Sequence, residues 1–470
     1  MSELPVGWSF FSLKDLGGLS GGKTPSKANL SFWSSPDVPW VSPKDMKKNL
    51  LEDSEDRISH AAVEKAGMTP YPAGSILMVT RSGILQHTFP VALAGNELTV
   101  NQDIKVLRPV PGIIPQFAFY LLKSFGRKIL SVCSKDGTTV QSVDSEKLEA
   151  FPFPLPPTAE QTRIAAKLDE LLAQVDTLKA RIDGVPELLK RFRQSVLAAA
   201  ISGRLTEEWR VARMKSEETG APFLFRTEGL PIDWQEIPFS SVISDLRYGT
   251  AQRCDYGAGS IGVLRIPNIG ERGISRADLK SSNFSKTEIE KLSLRAGDLI
   301  MIRSNGSVEL VGKSAIVTQK EEGLLFAGYL IRVRLNKEKV IPEYVNFWLR
   351  SPAIRQLIEL TARSTSGVNN INSEEIRSLV FTKPSLEEQD EIVRRVEQLF
   401  AFADQLEARV KAAQARIDRL TQSILTKAFR GELVPQDPND EPASVLLERI
   451  KAHRAAAPKA RRGRQAAKLG

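Results

Sequence analysis

A glycine-rich segment near the start of the chain has the letters of a phosphate-binding loop. Residues 17–24 read GGLSGGKT, which fits the pattern G-x-x-x-x-G-K-[S/T]. Such a loop holds nucleotide phosphates when a strand precedes it and a helix follows it. Here Pro25 comes directly after Thr24, and residues 26–40 contain further turn signals without a helical period. The sequence therefore argues against a nucleotide hydrolase and favours a mobile loop that displays Lys23 and Thr24.

Other patterns of catalytic residues are missing. The chain has no D/N-P-P-Y/F/W tetrapeptide, no glycine fingerprint between a strand and a helix, no GxSxG and no HExxH. Its two cysteines and three histidines are not at zinc-ligand spacing; they are Cys133, Cys254, His60, His87 and His453. We therefore expect no catalytic residue, no metal site and no cofactor in this chain, and the sequence favours a binding module.

The composition is that of an ordinary globular protein. Hydrophobic residues make up 41% of the 470 residues and charged residues 26%, which suits two or three domains with cores of their own. The apolar runs are too short to span a membrane, and the start of the chain does not resemble a signal peptide. We therefore expect a cytoplasmic protein without a membrane partner.

The net charge of +9 is concentrated at the end of the chain. Seven basic residues and no acidic ones lie between Lys451 and Gly470, and the rest of the chain has 58 basic and 56 acidic residues. Together with its alanines, Pro458 and Gly463, this composition predicts a disordered basic end. Such an end could hold phosphates without sequence preference, or it could serve only solubility.

The sequence contains an internal repeat of two copies. The second copy follows the first at an offset of 226 to 228 residues for most matching segments. The matching pairs are LPVGW (4–8) with LPIDW (230–234), GSILMVTRSG (74–83) with GDLIMIRSNG (297–306), PLPPTAEQTRIAAKLDELL (154–172) with KPSLEEQDEIVRRVEQLF (383–400), and AAISGRL (199–205) with KAFRGEL (427–433). Each half thus consists of a variable domain followed by a long helix.

Both long helices have an apolar seam with the heptad spacing of a coiled coil. The seam of the first helix comprises Ile164, Leu168, Leu171, Val175, Leu178, Ile182, Leu189, Phe192 and Val196. The seam of the second comprises Ile392, Val396, Leu399, Leu406, Val410, Ile417, Leu420 and Ile424. Because the second seam repeats the register of the first at an offset of 228, we expect the two seams to face each other. The alternative is that each helix packs only on its own domain.

The ends of the helices are also predictable. Thr158 and Ser385 each begin a capping box, and Gly203 and Gly431 lie where left-handed C-terminal caps would fall. Pro186 predicts a kink or short break in the first helix, and the second helix should be straighter. The acidic and amide pairs near the helix starts could be caps or could mark surfaces where other subunits dock; these are Glu160, Gln161, Glu388 and Gln389.

These elements predict an α/β (α+β) fold with pseudo-two-fold symmetry, in which an antiparallel two-helix coiled coil separates two similar domains. The predicted strands are residues 75–79, 103–107, 298–302 and 330–335, and the predicted helices of the domains are 113–124 and 340–351. The predicted boundaries are 1–156 for the first domain, 157–204 for its helix, 205–229 for a linker, 230–383 for the second domain, 384–432 for its helix and 433–470 for the tail.

This order of segments resembles the specificity subunit of type I restriction-modification systems. GKTPS (22–26), VPWV (38–41) and VNQDIKVLRP (100–109), followed by LPPTAEQ and later SLEEQ, carry the resemblance, which covers about residues 1–435. It implies two target-recognition domains that each read half of a bipartite, asymmetric site in double-stranded DNA. It also implies that the coiled coil sets the spacing and docks two modification subunits, which methylate adenine at N6.

Further partners and cofactors follow from the same resemblance. Restriction subunits, which carry the motor and the nuclease, would join the complex. S-adenosylmethionine, ATP and Mg²⁺ would be bound by the partner subunits, and this chain would have no active site. The competing interpretation is a non-catalytic, two-headed structural adaptor that bridges other proteins.

Residues that read bases should be polar and exposed in loops. The candidates in the first domain are Lys23, Thr24, Arg81, Ser82, Thr138, Thr139 and Gln141. The candidates in the second domain are Arg247, Tyr248, Arg303, Ser304, Asn305, Ser366, Asn369 and Asn370. The alternative for any one of them is an ordinary solvated turn or strand cap.

Overall fold

A computed structural model describes residues 4–135, 140–216, 229–362 and 367–456. The chain divides into two compact units. Unit 1 comprises Met1–Ile182 and Ala413–Gly470, and unit 2 comprises Asp183–Ala412. Each unit therefore combines one variable domain with parts of both long helices. Among the described residues, no helix is long and apolar enough to cross a membrane.

The variable domain of unit 1 is built on a five-stranded sheet in the order β2-β9-β6-β7-β4. Its strands are β1 (Ser9–Ser12), β2 (Gly17–Gly21), β3 (Val38–Val41), β4 (Leu50–Leu51), β5 (Arg57–Ile58), β6 (Ile76–Val79), β7 (Val91–Ala94), β8 (Thr99–Val100), β9 (Ile104–Pro109) and β10 (Pro152–Leu155). Its helices are α1 (Leu13–Leu16), α2 (His60–Lys65), α3 (Pro115–Cys133) and α4 (Ser145–Ala150), and the first long helix begins with α5 (Thr158–Asp183). The strands β5, β3 and β8 form a smaller sheet.

The variable domain of unit 2 has a four-stranded antiparallel sheet in the order β12-β21-β17-β19. Its strands are β11 (Gln235–Pro238), β12 (Ile243–Tyr248), β13 (Ile261–Leu264), β14 (Ile269–Gly270), β15 (Gly273–Ile274), β16 (Lys280–Ser282), β17 (Leu299–Ile302), β18 (Ser304–Asn305), β19 (Ser314–Ile316), β20 (Leu325–Phe326), β21 (Leu330–Leu335), β22 (Asn369–Asn370) and β23 (Val380–Lys383). The helices that follow α5 are α6 (Val185–Ile201), α7 (Glu207–Ser216), α8 (Lys286–Leu292), α9 (Pro342–Arg350), α10 (Pro352–Ala362), α11 (Ser373–Ser378), α12 (Leu386–Ala428) and α13 (Ala443–Ala456).

The central strands of both domains are continuous apolar runs. All four residues of β6 are buried, as are all four of β17, as expected for a strand covered on both faces. β6 pairs antiparallel with β9, and β17 pairs antiparallel with β21. The predicted strands and domain helices are thereby confirmed, although the helix predicted at 340–351 is followed at once by α10.

Each domain is closed by pairing its first strand with its last. β1 pairs antiparallel with β10, and β11 pairs antiparallel with β23. Because β10 and β23 lead directly into α5 and α12, the first strand of each domain is fixed beside the start of its long helix.

The glycine-rich segment at 17–24 is a strand over residues 17–21, contrary to the predicted loop, whereas residues 22–24 have no regular secondary structure and expose Lys23 and Thr24. Gly17–Gly21 forms β2, which pairs with β9. A Cβ atom on Gly17 would lie 2.0 Å from the carbonyl oxygen of Arg108, and one on Gly22 would lie 1.9 Å from that of Val100. Close backbone approach thus explains the glycines. The described residues 22–29 contain no helix that could face a phosphate.

The long helices contact each other within each unit, and the contacts in unit 2 show that they run in opposite chain directions there. In unit 2, Arg193 Nη2 lies 2.6 Å from Asp404 Oδ1, and Arg395 Nη1 donates to Leu205 O over 2.8 Å. In unit 1, Lys179 lies 3.9 Å from Asp418. The first helix is interrupted at Gly184, between α5 and α6, as Pro186 predicted, whereas α12 is continuous over 43 residues.

The burial of the predicted seam varies along the helices. The buried seam residues are Ile164, Leu168, Val175, Leu189, Val196, Ile392, Val396, Ile417 and Ile424, and the half-buried ones are Leu171, Ile182, Phe192, Leu399, Leu406 and Val410. Leu178 and Leu420 are 47% and 46% exposed, contrary to the expectation of a buried seam. The buried residues near the helix ends are also covered by the domain cores. Where only the two helices pack on each other, the side chains between them remain partly exposed to solvent.

The acidic and amide pairs near the helix starts are buried, so they are not surfaces for docking. Glu160 and Gln161 are 1% and 0% exposed, and Glu388 and Gln389 are 2% and 0% exposed. The amide of Gln161 accepts from Ile114 N and donates to Pro156 O. Gln389 makes the same two bonds, to Ile341 N and Pro384 O. These amides therefore tie each helix to the helical segment of its domain.

The capping boxes form only in part. Ser385 Oγ accepts from Glu388 N over 3.2 Å, as predicted, but the carboxylate of Glu388 bonds to a tryptophan instead of completing the box. Thr158 Oγ1 donates to Gly112 O rather than capping α5. At the other ends, Gly203 and Gly431 both have a φ of +77°, which confirms the predicted left-handed caps.

Parts of the predicted linker and tail are helical. Within 205–229, α7 occupies Glu207–Ser216 and contributes the buried Arg210. Within 433–470, α13 buries Leu446, Leu447 and Ile450 in the core of unit 1, which explains why residues 451–456 are helical rather than disordered. The remainder of the basic end, residues 457–470, lies outside the described residues.

Candidate nucleic-acid interface

Six of the predicted DNA-binding residues of the second domain come together at one end of its central sheet. The short strands β18 and β22 pair antiparallel, with Ser304 opposite Asn370 and Asn305 opposite Asn369. Arg303 directly precedes β18, and the side chain of Tyr248, at the end of β12, packs against it. Residues separated by more than 50 positions in the sequence therefore share one polar surface.

Arg303 is held from three sides. Its Cζ atom lies 4.4 Å from the centre of the Tyr248 ring, within the range of a cation–π contact. Its Nε donates to Asn370 Oδ1 over 3.0 Å, and its Nη1 donates to Gly328 O over 3.3 Å. Tyr248 is fixed in turn, because its hydroxyl accepts from Ser373 N over 3.0 Å. The guanidinium is therefore oriented before any ligand binds.

Other candidates on this surface are engaged within the protein. Asn369 Nδ2 donates to Gly306 O over 2.9 Å, and Asn305 Oδ1 accepts from Ser307 N over 2.8 Å. Both bonds shape the β18–β22 turn, which favours a structural role for these two amides. Ser366 lies outside the described residues.

Arg247 faces a carboxylate. Its Nε lies 3.0 Å from both oxygens of Asp245, which also pairs with the buried Arg332. Burial would raise the pKa of Asp245, but the hydrogen bonds from Arg332 and Arg247 outweigh it and lower that pKa. Asp245 therefore neutralises the charge of Arg247 as well as that of Arg332. Arg247 is for this reason less available than Arg303 to bind a phosphate or a base.

The candidates of the first domain form a looser surface. Ser82 N donates to Gln141 O over 3.0 Å, which brings these two predicted residues together. Arg81 precedes Ser82, its side chain is 64% exposed, and among the described residues its ion pair is a long one of 3.9 Å with Asp103. Thr138 and Thr139 lie outside the described residues.

Lys23 and Thr24 adjoin the same surface through the turn before β9. Lys23 N donates to Val100 O over 3.1 Å, and the hydroxyl of Thr24 donates to the side-chain oxygen of Gln102. Both Lys23 and Thr24 are exposed. Gln102 and Asp103 were not among the predicted site residues, although the polar segment NQD at 101–103, directly before an apolar strand, is a signal that could have identified them.

The two domains build these surfaces by the same backbone pairing. In unit 1, Val143 N donates to Thr80 O over 2.8 Å, and Arg81 pairs with Ser142. In unit 2, Ile371 N donates to Arg303 O over 2.9 Å, and Ser304 pairs with Asn370. We call this shared backbone pairing the backbone frame. The two domains use it to present different side chains.

The groups at both surfaces are suited to binding rather than to bond making. They supply hydroxyls, amides and arginine donors, which match the acceptors of phosphates and of base edges. Within the part of the chain that the structure describes, no group of three or more His, Cys, Asp or Glu side chains could hold a metal ion.

The chain is similar to known proteins over most of its length. Residues 5–187 match the family model of the type I restriction modification DNA specificity domain. The type I restriction enzyme EcoKI specificity subunit of Escherichia coli (strain K12) is 38% identical over 362 residues, which cover 75% of this chain and 74% of that protein. The StySPI specificity subunit of Salmonella potsdam is 36% identical over 360 residues, which cover 74% of each.

The chain belongs to the specificity subunits of type I restriction enzymes. Its sequence-based assignment to this family is thereby confirmed. A solved chain, described as part of the structural basis of complex assembly and conformational transition of the type I R-M system, has a TM-score of 0.65 at 18% identity and covers 92% of this chain and 100% of that one. At that identity, the likeness concerns the fold alone, and it agrees with the mixed α/β class.

Family membership decides between the function classes considered from the sequence. A specificity subunit is a non-catalytic DNA-recognition subunit, so the prediction that this chain is not an enzyme is confirmed by its relatives. DNA and other restriction-modification subunits are its implied partners.

Proposed function

We propose that this specificity subunit reads a bipartite, asymmetric DNA site, one half with each variable domain. The observation that carries the proposal is the repeated backbone frame that presents Arg81, Ser82 and Gln141 in unit 1 and Arg303, Ser304 and Asn370 in unit 2. Because the side chains on the two frames differ, the two half-sites should differ as well. Polar groups on such frames read base edges in the major groove.

The paired long helices set the gap between the half-sites. An antiparallel coiled coil with approximate two-fold symmetry is supported by the matching seams and by the helix contacts within each unit. A rigid spacer fixes both distance and rotation along DNA, because the duplex turns once in about 10.5 base pairs. Only half-sites at one separation then bind both domains together.

The remaining partners complete the activity. Two modification subunits dock on the helices and methylate adenine at N6, and restriction subunits with the motor and nuclease join them. S-adenosylmethionine, ATP and Mg²⁺ are bound by those subunits, and this chain supplies no ligand to them. Residues 1–450 have 58 basic and 56 acidic residues, and this small excess of positive charge supports the proposal that the modification subunits provide much of the phosphate contact.

Exchange of one variable domain tests the modular part of the proposal. Residues 230–383 would be replaced by the corresponding domain of another specificity subunit, and methylated adenines would be mapped at base resolution in cells that contain the modification subunits. One half of the methylated motif should change, while the other half and the gap stay the same. A change in both halves would contradict independent reading by the two domains.

Deletion of the chain is the control that separates recognition from bridging. If the chain is the source of sequence specificity, a bipartite motif should disappear from the methylation map when the chain is removed. A structural adaptor would leave every methylated motif in place, and that result would exclude the proposed function.

A further inference from the structure

Arg303 differs from the other arginines predicted to bind DNA in being both fixed and free of a carboxylate. In the described residues it has no ion pair within 4.0 Å, whereas Arg247 is bound to Asp245 and Arg81 has the long contact with Asp103. It is half-buried, and Tyr248, Asn370 and Gly328 O hold it in place. A positive charge held in this way is prepared for a ligand with acceptors.

The free donors of Arg303 define that ligand. A guanidinium has five N–H groups, and the bonds to Asn370 and Gly328 O use one on Nε and one on Nη1. Three N–H groups remain on the two terminal nitrogens, where they can form the paired donors of a planar fork. Asn370 accepts with its Oδ1, and its amide nitrogen is a further donor group beside the guanidinium.

A guanine base presents the matching acceptors. In the major groove, its O6 and N7 are adjacent acceptors, and arginine binds both at once. Adenine has its N6 amino group, a donor, beside N7. That donor would face one of the two N–H donors of the guanidinium, so the pair of hydrogen bonds could not form. A phosphate would also accept, but a phosphate contact carries no sequence information, so the two ligands predict different effects of Arg303 on the recognised motif.

We infer that Arg303 reads a guanine in the half-site recognised by the second domain, with Tyr248 and Asn370 as positioning residues. The inference rests on the proposed function. The corresponding position in the first domain is Thr80, whose backbone makes the same bond to the returning segment. Thr80 cannot form a two-donor fork, so we expect the two half-sites to differ at the base that this position faces.

The test combines methylation mapping with a modified base. The chain with its modification subunits would be studied as wild type, Arg303→Ala and Arg303→Lys. Arg303→Ala should relax one guanine of the second half-site, reducing the preference for it by about 5- to 150-fold, and leave the first half-site unchanged. Arg303→Lys retains the charge but loses the fork, so it should retain only part of the preference. Arg276→Ala, at an exposed position of the same domain, is the control.

A duplex with 7-deazaguanine at the relaxed position then tests the contact itself. The missing N7 acceptor should weaken binding by the wild-type complex and have little effect on Arg303→Ala. Equal weakening of both proteins would contradict the contact. Tyr248→Phe preserves the ring but loses the bond from Ser373 N, so it should keep most of the preference, whereas Tyr248→Ala should lower the preference further.

Two further outcomes would overturn the inference. Arg303→Ala could weaken methylation at all sites equally without changing the motif, which would indicate a phosphate contact. If Arg303→Ala is inactive because it misfolds, Arg303→Lys decides, and an unchanged guanine preference in that variant rejects the reading role. Loss of any bipartite motif in the wild type would instead reject the proposed function.

Discussion

The starts of the two long helices place the same carboxylate in two different surroundings. Trp8 Nε1 donates to Glu160 Oε2 in unit 1, and Trp234 Nε1 donates to Glu388 Oε2 in unit 2, each over 2.9 Å. In unit 2 the second oxygen of Glu388 accepts from Thr206 Oγ1 over 2.6 Å and pairs with the buried Arg210. In unit 1 the second oxygen of Glu160 is buried and has no hydrogen-bond partner among the described residues.

The repeat explains why one junction lacks the donors of the other. Thr206 and Arg210 follow the cap at Gly203, and the positions 228 residues later hold Val434 and Pro438. Neither of these side chains can donate a hydrogen bond. The two copies therefore share the tryptophan-to-carboxylate bond that connects helix and domain, whereas the junction of unit 1 lacks the other donors found in unit 2.

The buried arginine gives the largest difference between the junctions. Arg210→Met would leave Glu388 as a buried charge without its cation, and loss of one partner of a buried pair costs about 3–5 kcal/mol. We expect unit 2 to be destabilised by that amount and unit 1 to be unaffected. Unfolding of the full chain, followed by hydrogen exchange with peptides assigned to each unit, measures both.

Two variants control this prediction. Arg213→Met removes an exposed arginine of the same helix that pairs with Glu387, and it should cost less than about 1 kcal/mol. The double change Arg210→Met with Glu388→Gln removes both charges and should recover part of the loss. Equal effects of the two arginine changes would show that the buried ion pair stabilises unit 2 no more than the exposed ion pair does.

The sequence predicted the framework of these junctions better than their chemistry. The strands, the break at Gly184 and the caps at Gly203 and Gly431 follow from local patterns of apolar residues, proline and glycine. The partner of Glu160 is 152 residues away, and a local pattern contains no information about such a contact. Capping was therefore expected where a buried bond to tryptophan forms.

At the candidate DNA surfaces, too, the sequence predicted which residues lie together better than it predicted their hydrogen bonds. Residue type and position in the repeat suggested which side chains belong together, including Arg303 and Asn370. They could not show that Asn369 is used by the backbone of Gly306 or that Arg247 faces Asp245, since these depend on tertiary geometry. The glycines of the 17–24 segment suggested a loop for the same reason. The carbonyl groups that leave no room for a side chain there belong to residues more than 75 positions away.

The two glycine caps should behave alike, in contrast to the two carboxylates. A Cβ atom on Gly203 would lie 2.4 Å from Pro231 Cγ, and one on Gly431 would lie 2.5 Å from Pro5 Cγ. Both residues have a φ of +77°, which is strained for any side chain. Gly203→Ala and Gly431→Ala should each destabilise their own unit by about 1–3 kcal/mol, as measured by denaturant unfolding.

Gly18→Ala is the matched control for the caps. No atom lies within 4 Å of its added Cβ, and its φ is outside the left-handed range, so the change should stay within about 0.5 kcal/mol. If either cap variant were as mild as this control, the shared role of the two glycines would be wrong.

The smallest expected effect is a pH dependence that belongs to unit 1. Burial raises the pKa of Glu160 above its ordinary value of 4.5, and the bond from Trp8 and the charge of Arg163 only partly oppose it. The folded state then binds a proton at a pH where the unfolded state does not. Burial of the charged form costs stability at neutral pH, and this cost is relieved as the pH falls through the raised pKa towards 4.5.

Comparison with Glu160→Gln isolates this contribution, because the other titrating groups are common to both proteins. Glu391, for example, has its pKa lowered to about 2 by Arg394 and Arg395, and it loses its stabilising effect as the pH falls in both proteins alike. The free energy of unfolding of the wild type, minus that of Glu160→Gln, should therefore increase from pH 7 towards pH 4.5. Glu170→Gln controls for the loss of an exposed carboxylate from α5. A difference that stays constant or decreases over this range would mean that burial of Glu160 in its charged form does not destabilise unit 1.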